Sequence, residues 1–221
     1  MARLARVVIP GVPHHVTQRG NRRQDTFFCD EDYQVYKALM AEWCAKCGVK
    51  VWAYCLMSNH VHLILVPSDA TGLARAVGEA HRRYTRHINA REGWSGYLWQ
   101  GRFSSFPMDE AHLLAAAAYV ERNPVKAGMA RSARQYKWSS ARAHLAGKDD
   151  DLVTVKALLK RCSDWAGLLR GKDEPSILDT LRAHKRTGRP LGDNKFLDKL
   201  ERELDRALRP AKRGRKPKTE T

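Results

Sequence analysis

His60-Val61-His62 opens an apolar, β-branched run that continues as Leu63-Ile64-Leu65-Val66. In an extended strand, residues i and i+2 project from the same face, so the two imidazoles stand together while Val61 points the other way. Such a pair can hold one divalent cation, with the strand fixing the ligand separation; it also describes the polar face of an ordinary strand. A second candidate is Tyr119, which follows four alanines at 115–118 and precedes Val120-Glu121-Arg122-Asn123-Pro124. Small alanines let such a helix lie close to a neighbour, and Asn123 sits one turn beyond Tyr119 on the same face. A tyrosine beside an amide-oxygen ligand suits covalent phosphoryl transfer, with the hydroxyl as nucleophile and a cation neutralising charge. The same spacing describes a core tyrosine on a helix ended by Asn-Pro. If water were the nucleophile, Glu121 is the best general base, but two residues from Tyr119 on a helix it points elsewhere.

The elements that must carry these residues read as follows. Residues 14–20 form a first strand ending at a Gly-Asn turn. A helix runs from an Asp30 N-cap to about Cys47, with Gly48 just past its end. Residues 49–57 and 60–66 make a β-hairpin through Ser58-Asn59, with the histidines on the returning arm. A helix over 71–90 buries Leu73, Val77, Ala80, Tyr84 and Ile88 and carries Arg75, Arg82, Arg83 and Arg86 on its other face. Residues 97–103 resemble a strand, and a last helix runs from Ala111 to Arg122, opened by Asp109 or Glu110 and stopped by Asn123-Pro124. This order predicts an α+β fold, an antiparallel sheet of four to five strands with helices on one face. That domain spans residues 1–146. A helical C-terminal extension follows over 147–208, with Leu197, Leu200, Leu204 and Leu208 in one stripe, and residues 209–221 are a basic tail expected to be disordered.

Charge limits the partners. The 221 residues hold 40 Lys+Arg against 24 Asp+Glu, a net +16, the footprint of a phosphate-backbone binder. No apolar run reaches the ~20 residues that span a bilayer. The N-terminal apolar stretch breaks at Pro10-Gly11, too early for a signal peptide, so a cytoplasmic, nucleoid-associated protein without membrane contact is expected. Five cysteines, an odd number, fit reduced thiols. Cys44-Ala45-Lys46-Cys47 has zinc-ribbon spacing, but it lies in a helical pattern without a second ligand pair and reads as buried thiols.

Met57-Ser58-Asn59-His60-Val61-His62-Leu63-Ile64 and Tyr119-Val120-Glu121-Arg122-Asn123-Pro124-Val125-Lys126-Ala127-Gly128 closely resemble the two motifs of single-tyrosine HUH transposases. More narrowly, the chain resembles the REP-associated tyrosine transposases. Supporting stretches are His14-His15-Val16-Thr17-Gln18-Arg19-Gly20-Asn21, Trp99-Gln100-Gly101-Arg102-Phe103 and Tyr136-Lys137-Trp138-Ser139-Ser140, so the match runs from about residue 7 to residue 145. The resemblance implies a ferredoxin-like fold and Mg2+ or Mn2+ on His60, His62 and, as a weaker third ligand, Asn123. It implies attack by Tyr119 on a phosphate of single-stranded DNA at a palindromic, REP-like hairpin. The products are a 5′-phosphotyrosine and a free 3′-hydroxyl, without ATP. Ser58 stands where many relatives carry proline.

DNA contacts follow by class. Arg19, Asn21 and Arg22 sit where the family reads a short guide sequence, and Arg102 lies in a supporting motif. Arg75, Arg82, Arg83 and Arg86 line a phosphate path or form a solvated helix face. Trp99 and Phe103 stack bases or fill the core. Arg213 and Arg215, in a degenerate AT-hook-like run, attract phosphate. The chain is expected to act as a monomer or homodimer. A different class, a domesticated hairpin-binding protein that no longer cuts, and a hydrolase using water are the competing readings.

Overall fold

Four strands, β1 (His14–Arg19), β2 (Val49–Met57), β3 (His60–Pro67) and β4 (Ser104–Pro107), form one antiparallel sheet in the order β2-β3-β1-β4. Helices α1 (Asp30–Lys46), α2 (Gly72–Glu92) and α3 (Glu110–Lys126) connect or follow them. The structure is a computed structural model that describes residues 5–171 and 175–210.

Strand alternation sorts the sheet into two apolar faces. Val16, Leu56, Val61, Leu63 and Leu65 pack with Tyr36 and Met40 of α1 and with Leu73, Val77, Ala80, Tyr84 and Ile88 of α2. Ala53, Cys55, Ile64 and Phe106 pack with Leu113, Ala116, Ala117 and Val120 of α3. The α+β class and antiparallel sheet are those the sequence predicts. The helices, expected on one face, instead divide between the two, with α3 opposite α1 and α2, because β3 is apolar on both sides and each side needs cover. A bulge in β2 serves this division. Pairing passes from Val51↔Leu65 to Ala53↔Ile64, so Trp52 is skipped and the two flanking residues enter different cores.

Three local expectations are corrected. The cap of α1 is Cys29 rather than Asp30, because the Asp32 carboxylate reaches back to accept from the Phe28 and Cys29 amides at 2.8 and 3.3 Å. The strand expected at 97–103 falls at Ser104–Pro107. Residues 97–103 are an irregular segment joined to the sheet by one bridge, Gly20↔Trp99, and their apolar pattern reflects Leu98, Trp99 and Phe103 buried in the α1/α2 core. Lastly, α3 continues through Pro124 to Lys126. Proline has no N–H for the Val120 carbonyl, and the Asn123 side chain takes its place, Nδ2 donating to the Tyr119 and Val120 oxygens at 2.9 and 3.4 Å.

Helix α4 (Ala141–Ala146) ends the expected first domain, and the extension contains α5 (Lys156–Leu159), α6 (Trp165–Arg170), α7 (Pro175–Thr187) and α8 (Asn194–Leu204). It shares the sheet's cores. Leu152, Val153 and Val155 join the α1/α2 side, while Leu158, Trp165, Leu181 and Leu191 join the α3 side. Leu200 and Leu208 bury against Val7 and Ile9, whereas Leu204 of the expected stripe stays 37% exposed. Arg209 pairs with Asp198 and Glu201. Arg213 and Arg215 lie outside the described residues. Cys44, Cys47 and Cys55 are buried free thiols, and burial followed by Cys47 pushes Cys44 up to about 12. Among the described residues no helix is long and apolar enough to cross a membrane.

Candidate active site

The strand register writes a grid on the α3 face of the sheet. Across it run Phe106–His15–Ile64–Ala53, then Ser104–Thr17–His62–Cys55, then Arg19–His60–Met57. His60 and His62 therefore share the face that α3 covers, and Val61 is sunk in the opposite core. Their rings lie 5.1 Å apart. Each imidazole is oriented by a bond at Nδ1. That of His60 donates to Asn59 Oδ1 at 2.6 Å, and that of His62 lies 2.9 Å from His15 Nε2, the two rings stacked at 5.2 Å. Neither Nε2 has a hydrogen-bond partner among the described residues.

Burial keeps this cluster neutral. His60 is lowered to about 4 by burial, then by Arg19 and Lys185. His15 is lowered to about 3 by burial, then Lys185, and His62 is held well below the usual imidazole range by burial, His15 and Lys185. Neutral rings with oriented, unengaged Nε2 atoms are the form in which histidine binds a metal. Among the described residues no third His, Cys, Asp or Glu completes a set. Any further protein ligand must be a weaker donor, such as the Asn123 carbonyl oxygen, and substrate oxygens must fill the remainder.

Tyr119 comes to this pair from α3 of the same chain. Its half-buried ring meets His62 edge-on at 5.5 Å and His15 at 6.0 Å. Burial raises its hydroxyl pKa, opposed by Arg182, Arg19 and the Asn123 side chain. Lys126 Nζ stands 4.6 Å over the ring and is itself lowered to about 8 by burial, then Arg122 and Arg182. The phenol is thus protonated at neutral pH, in a positive field that favours its anion. Glu121 points away into the core. Fully buried, it accepts from Ser140 Oγ, from His144 Nδ1 at 2.6 Å and from Trp165 Nε1 at 2.8 Å, and so has no access to a water at the histidines.

Beside the grid, over Thr17, Arg19 and Ser104, opens a cleft of about 730 Å³. Seven cations line it (Arg6, Arg19, Arg23, Arg102, Arg182, Lys185 and Arg186) and no acidic residue does. The structure thus gathers Arg19 and Arg102 here, while Asn21 and Arg22 lie on the adjoining turn, Arg22 exposed with φ 53°. Arg75, Arg82, Arg83 and Arg86 lie on α2, across the sheet from Tyr119. Arg75 pairs with Asp69 at 2.7 Å, and Arg82 and Arg83 with Glu79 at 2.6 and 3.8 Å. Arg82 also edges a shallow groove with Arg102, Phe103 and Tyr97, whose ring is 86% exposed. Sequence reasoning missed three participants. His15 stood in a quoted motif without a role, and Arg182 and Lys185 fall in the extension, to which the sequence reading gives no role. Nothing local to α7 signals that its C-terminal end docks on β4.

An α+β sheet whose cleft has only cations among its charged lining residues, beside paired histidines, has the charge that suits a polyanion. The family described as "Transposase IS200 like" matches residues 10–123, just over half of the chain. The chain belongs to the IS200-like transposase family, and with it to the DNA-processing enzymes. A solved REP-associated tyrosine transposase bound to a REP hairpin shares its fold, with 19% identity, a TM-score of 0.54, and coverage of 70% of this chain and 92% of that one. A chain from Deinococcus radiodurans R1 described as a candidate transposase has 20% identity and a TM-score of 0.38, covering 55% and 97%. No curated protein matches the chain.

Proposed function

We propose that this protein cleaves and rejoins single-stranded DNA beside palindromic, REP-like hairpins, through a 5′-phosphotyrosine on Tyr119. The observation that carries this reading is the meeting, within one chain, of the Tyr119 ring with the paired His60 and His62. A divalent cation, Mg2+ or Mn2+, would be held by Nε2 of each histidine and the Asn123 carbonyl oxygen, supplying charge to the phosphate oxygens. Asn59 and His15 orient the two rings, and the cationic cleft draws the backbone in. The Tyr119 oxygen attacks phosphorus, the bond to the 3′ oxygen breaks, the phenol gives up its proton and the departing 3′ oxygen gains one. A phosphodiester is exchanged for a phosphotyrosine ester of similar energy, so a free 3′-hydroxyl can reverse the step or join a new end. The hairpin-bound neighbour of the same fold supports hairpin DNA as the partner.

The test is an oligonucleotide carrying a REP-like hairpin and a single-stranded flank, incubated with Mn2+ and resolved under denaturing conditions. A covalent protein–DNA species that is absent in Tyr119→Phe is expected. A free 5′ phosphate without adduct would favour water as the nucleophile, and binding without cleavage under any divalent metal would leave a hairpin-binding protein.

A further inference from the structure

The extension's last amphipathic helix before α8 ends on the catalytic face of the sheet. Ser104 Oγ donates to the Lys185 carbonyl, and the His184 ring lies 5.9 Å from Phe106. Ser104 shares a grid row with Thr17 and His62, two strand spacings from His62, or about 10 Å. Lys185 is half-buried in the cleft, and its ammonium has no hydrogen-bond or ion-pair partner among the described residues. Its field reaches His15, His60 and His62, while that of Arg182, one turn earlier, reaches Tyr119. Burial, then Arg19, lowers Lys185 to about 8. A desolvated cation among like charges costs stability unless an anion completes the site.

We infer that Arg182 and Lys185 bind consecutive backbone phosphates of the single strand at the His60–His62–Tyr119 site, so that the C-terminal extension forms one wall of the substrate cleft. This assignment rests on the proposed function for the identity of the strand. An ammonium that loses part of its hydration on folding regains full partners from phosphate oxygens, and Arg182 at the rim, whose Nη1 makes an exposed pair with Asp179 at 3.1 Å, keeps its other guanidinium nitrogens for a phosphate. Ser104 holds the helix end at the height where a strand entering over Thr17 must pass.

The test uses the full chain, a fluorescent single-stranded 20-mer and EDTA, with anisotropy read across a salt series. The double variant Arg182→Gln/Lys185→Met is expected to bind about tenfold more weakly at moderate salt, with the log–log salt slope reduced by about 1.4, or ~0.7 per phosphate lost. Lys185→Arg is expected to keep the slope, as is Lys195→Met on α8, which removes a charge that does not line the cleft. Arg182→Gln alone, exposed and able to keep the fold, is expected to lower the slope by about 0.7. Affinity and slope equal to wild type in the double and Arg182→Gln variants overturn the assignment. Because no metal is present, this outcome is separate from the fate of the chemistry. A wild-type protein that binds the strand but yields no adduct with Mn2+ loses the cleavage reading and keeps the two phosphate contacts.

Discussion

His15 Nε2 lies 2.9 Å from His62 Nδ1, and this bond decides which nitrogen of His62 is left for a cation. Ligation through His62 Nε2 requires the proton on Nδ1, donated to His15, which in turn carries its own proton on Nδ1. His15→Leu removes the acceptor and frees the ring to turn. Mn2+ affinity, measured by titration calorimetry, is expected to fall at least tenfold, in the range found for lost outer-shell partners. His15→Gln, which can return an oxygen near the Nε2 position, is expected to stay within a few-fold of wild type.

Asn123 faces two demands. Its Nδ2 donates to the carbonyls near Pro124, which leaves Oδ1 for the proposed cation. Asn123→Asp offers a stronger hard-metal ligand but no donor. Mn2+ affinity is expected to rise about tenfold in calorimetry, and chemical denaturation to register a loss of about 1 kcal/mol. A variant that gains stability while losing metal would reverse the assignment.

Glu121 supports the site from behind. Its carboxylate satisfies Ser140, His144 and Trp165, tying α3 to α4 and α6. Glu121→Ala leaves the His144 and Trp165 donors buried and unpaired, while Ser140 Oγ keeps the Tyr54 backbone, at a cost of about 3 kcal/mol. For a chain of this size the expected loss in Tm is about 6–12 °C by calorimetry.

Two histidines other than His60 and His62 set an acid limit on the fold. His14 donates from Nδ1 to the Val12 carbonyl at 2.8 Å and accepts from the Ile9 amide at Nε2, which fixes its neutral form. Burial lowers it to about 4 despite the Val12 bond, and burial lowers His81, whose Nε2 lies 2.9 Å from Tyr36 Oη, to about 3. Both values lie below the ordinary 6.5, so the unfolded chain takes up protons that the folded chain refuses. Their stabilisation is complete above about pH 6.5 and falls with acidification towards pH 4 and 3, by about 1.4 kcal/mol per pH unit per histidine. Urea midpoints are expected to decline steadily from pH 6.5 to 4.5, and a flat profile would contradict neutral burial.

Much of this arrangement is legible in residue order. The bounds of β2, the parity of His60 and His62, and the buried stripe of α2 follow from alternation and helical periodicity alone. The segment 97–103 misleads because a loop buried against α2 needs the same apolar residues as a strand. The continuation of α3 past Pro124 depends on a side chain replacing a missing amide, which local preference does not encode. The placement of α3 against the histidines is half visible, since apolar residues on both sides of β3 demand two layers. Arg182 and Lys185 escape entirely, because their role comes from a contact between residues far apart in sequence.

The grid on the α3 face also sets an order in time. His15, the His60–His62 hairpin, Tyr119 and the α7 cations come from positions spread over most of the chain, and synthesis delivers them in that order. A nascent chain can pair its histidine strands long before its tyrosine leaves the ribosome, and its tyrosine before α7. The residues proposed for the chemistry therefore meet only once α3 is made, and the two α7 cations join them afterwards.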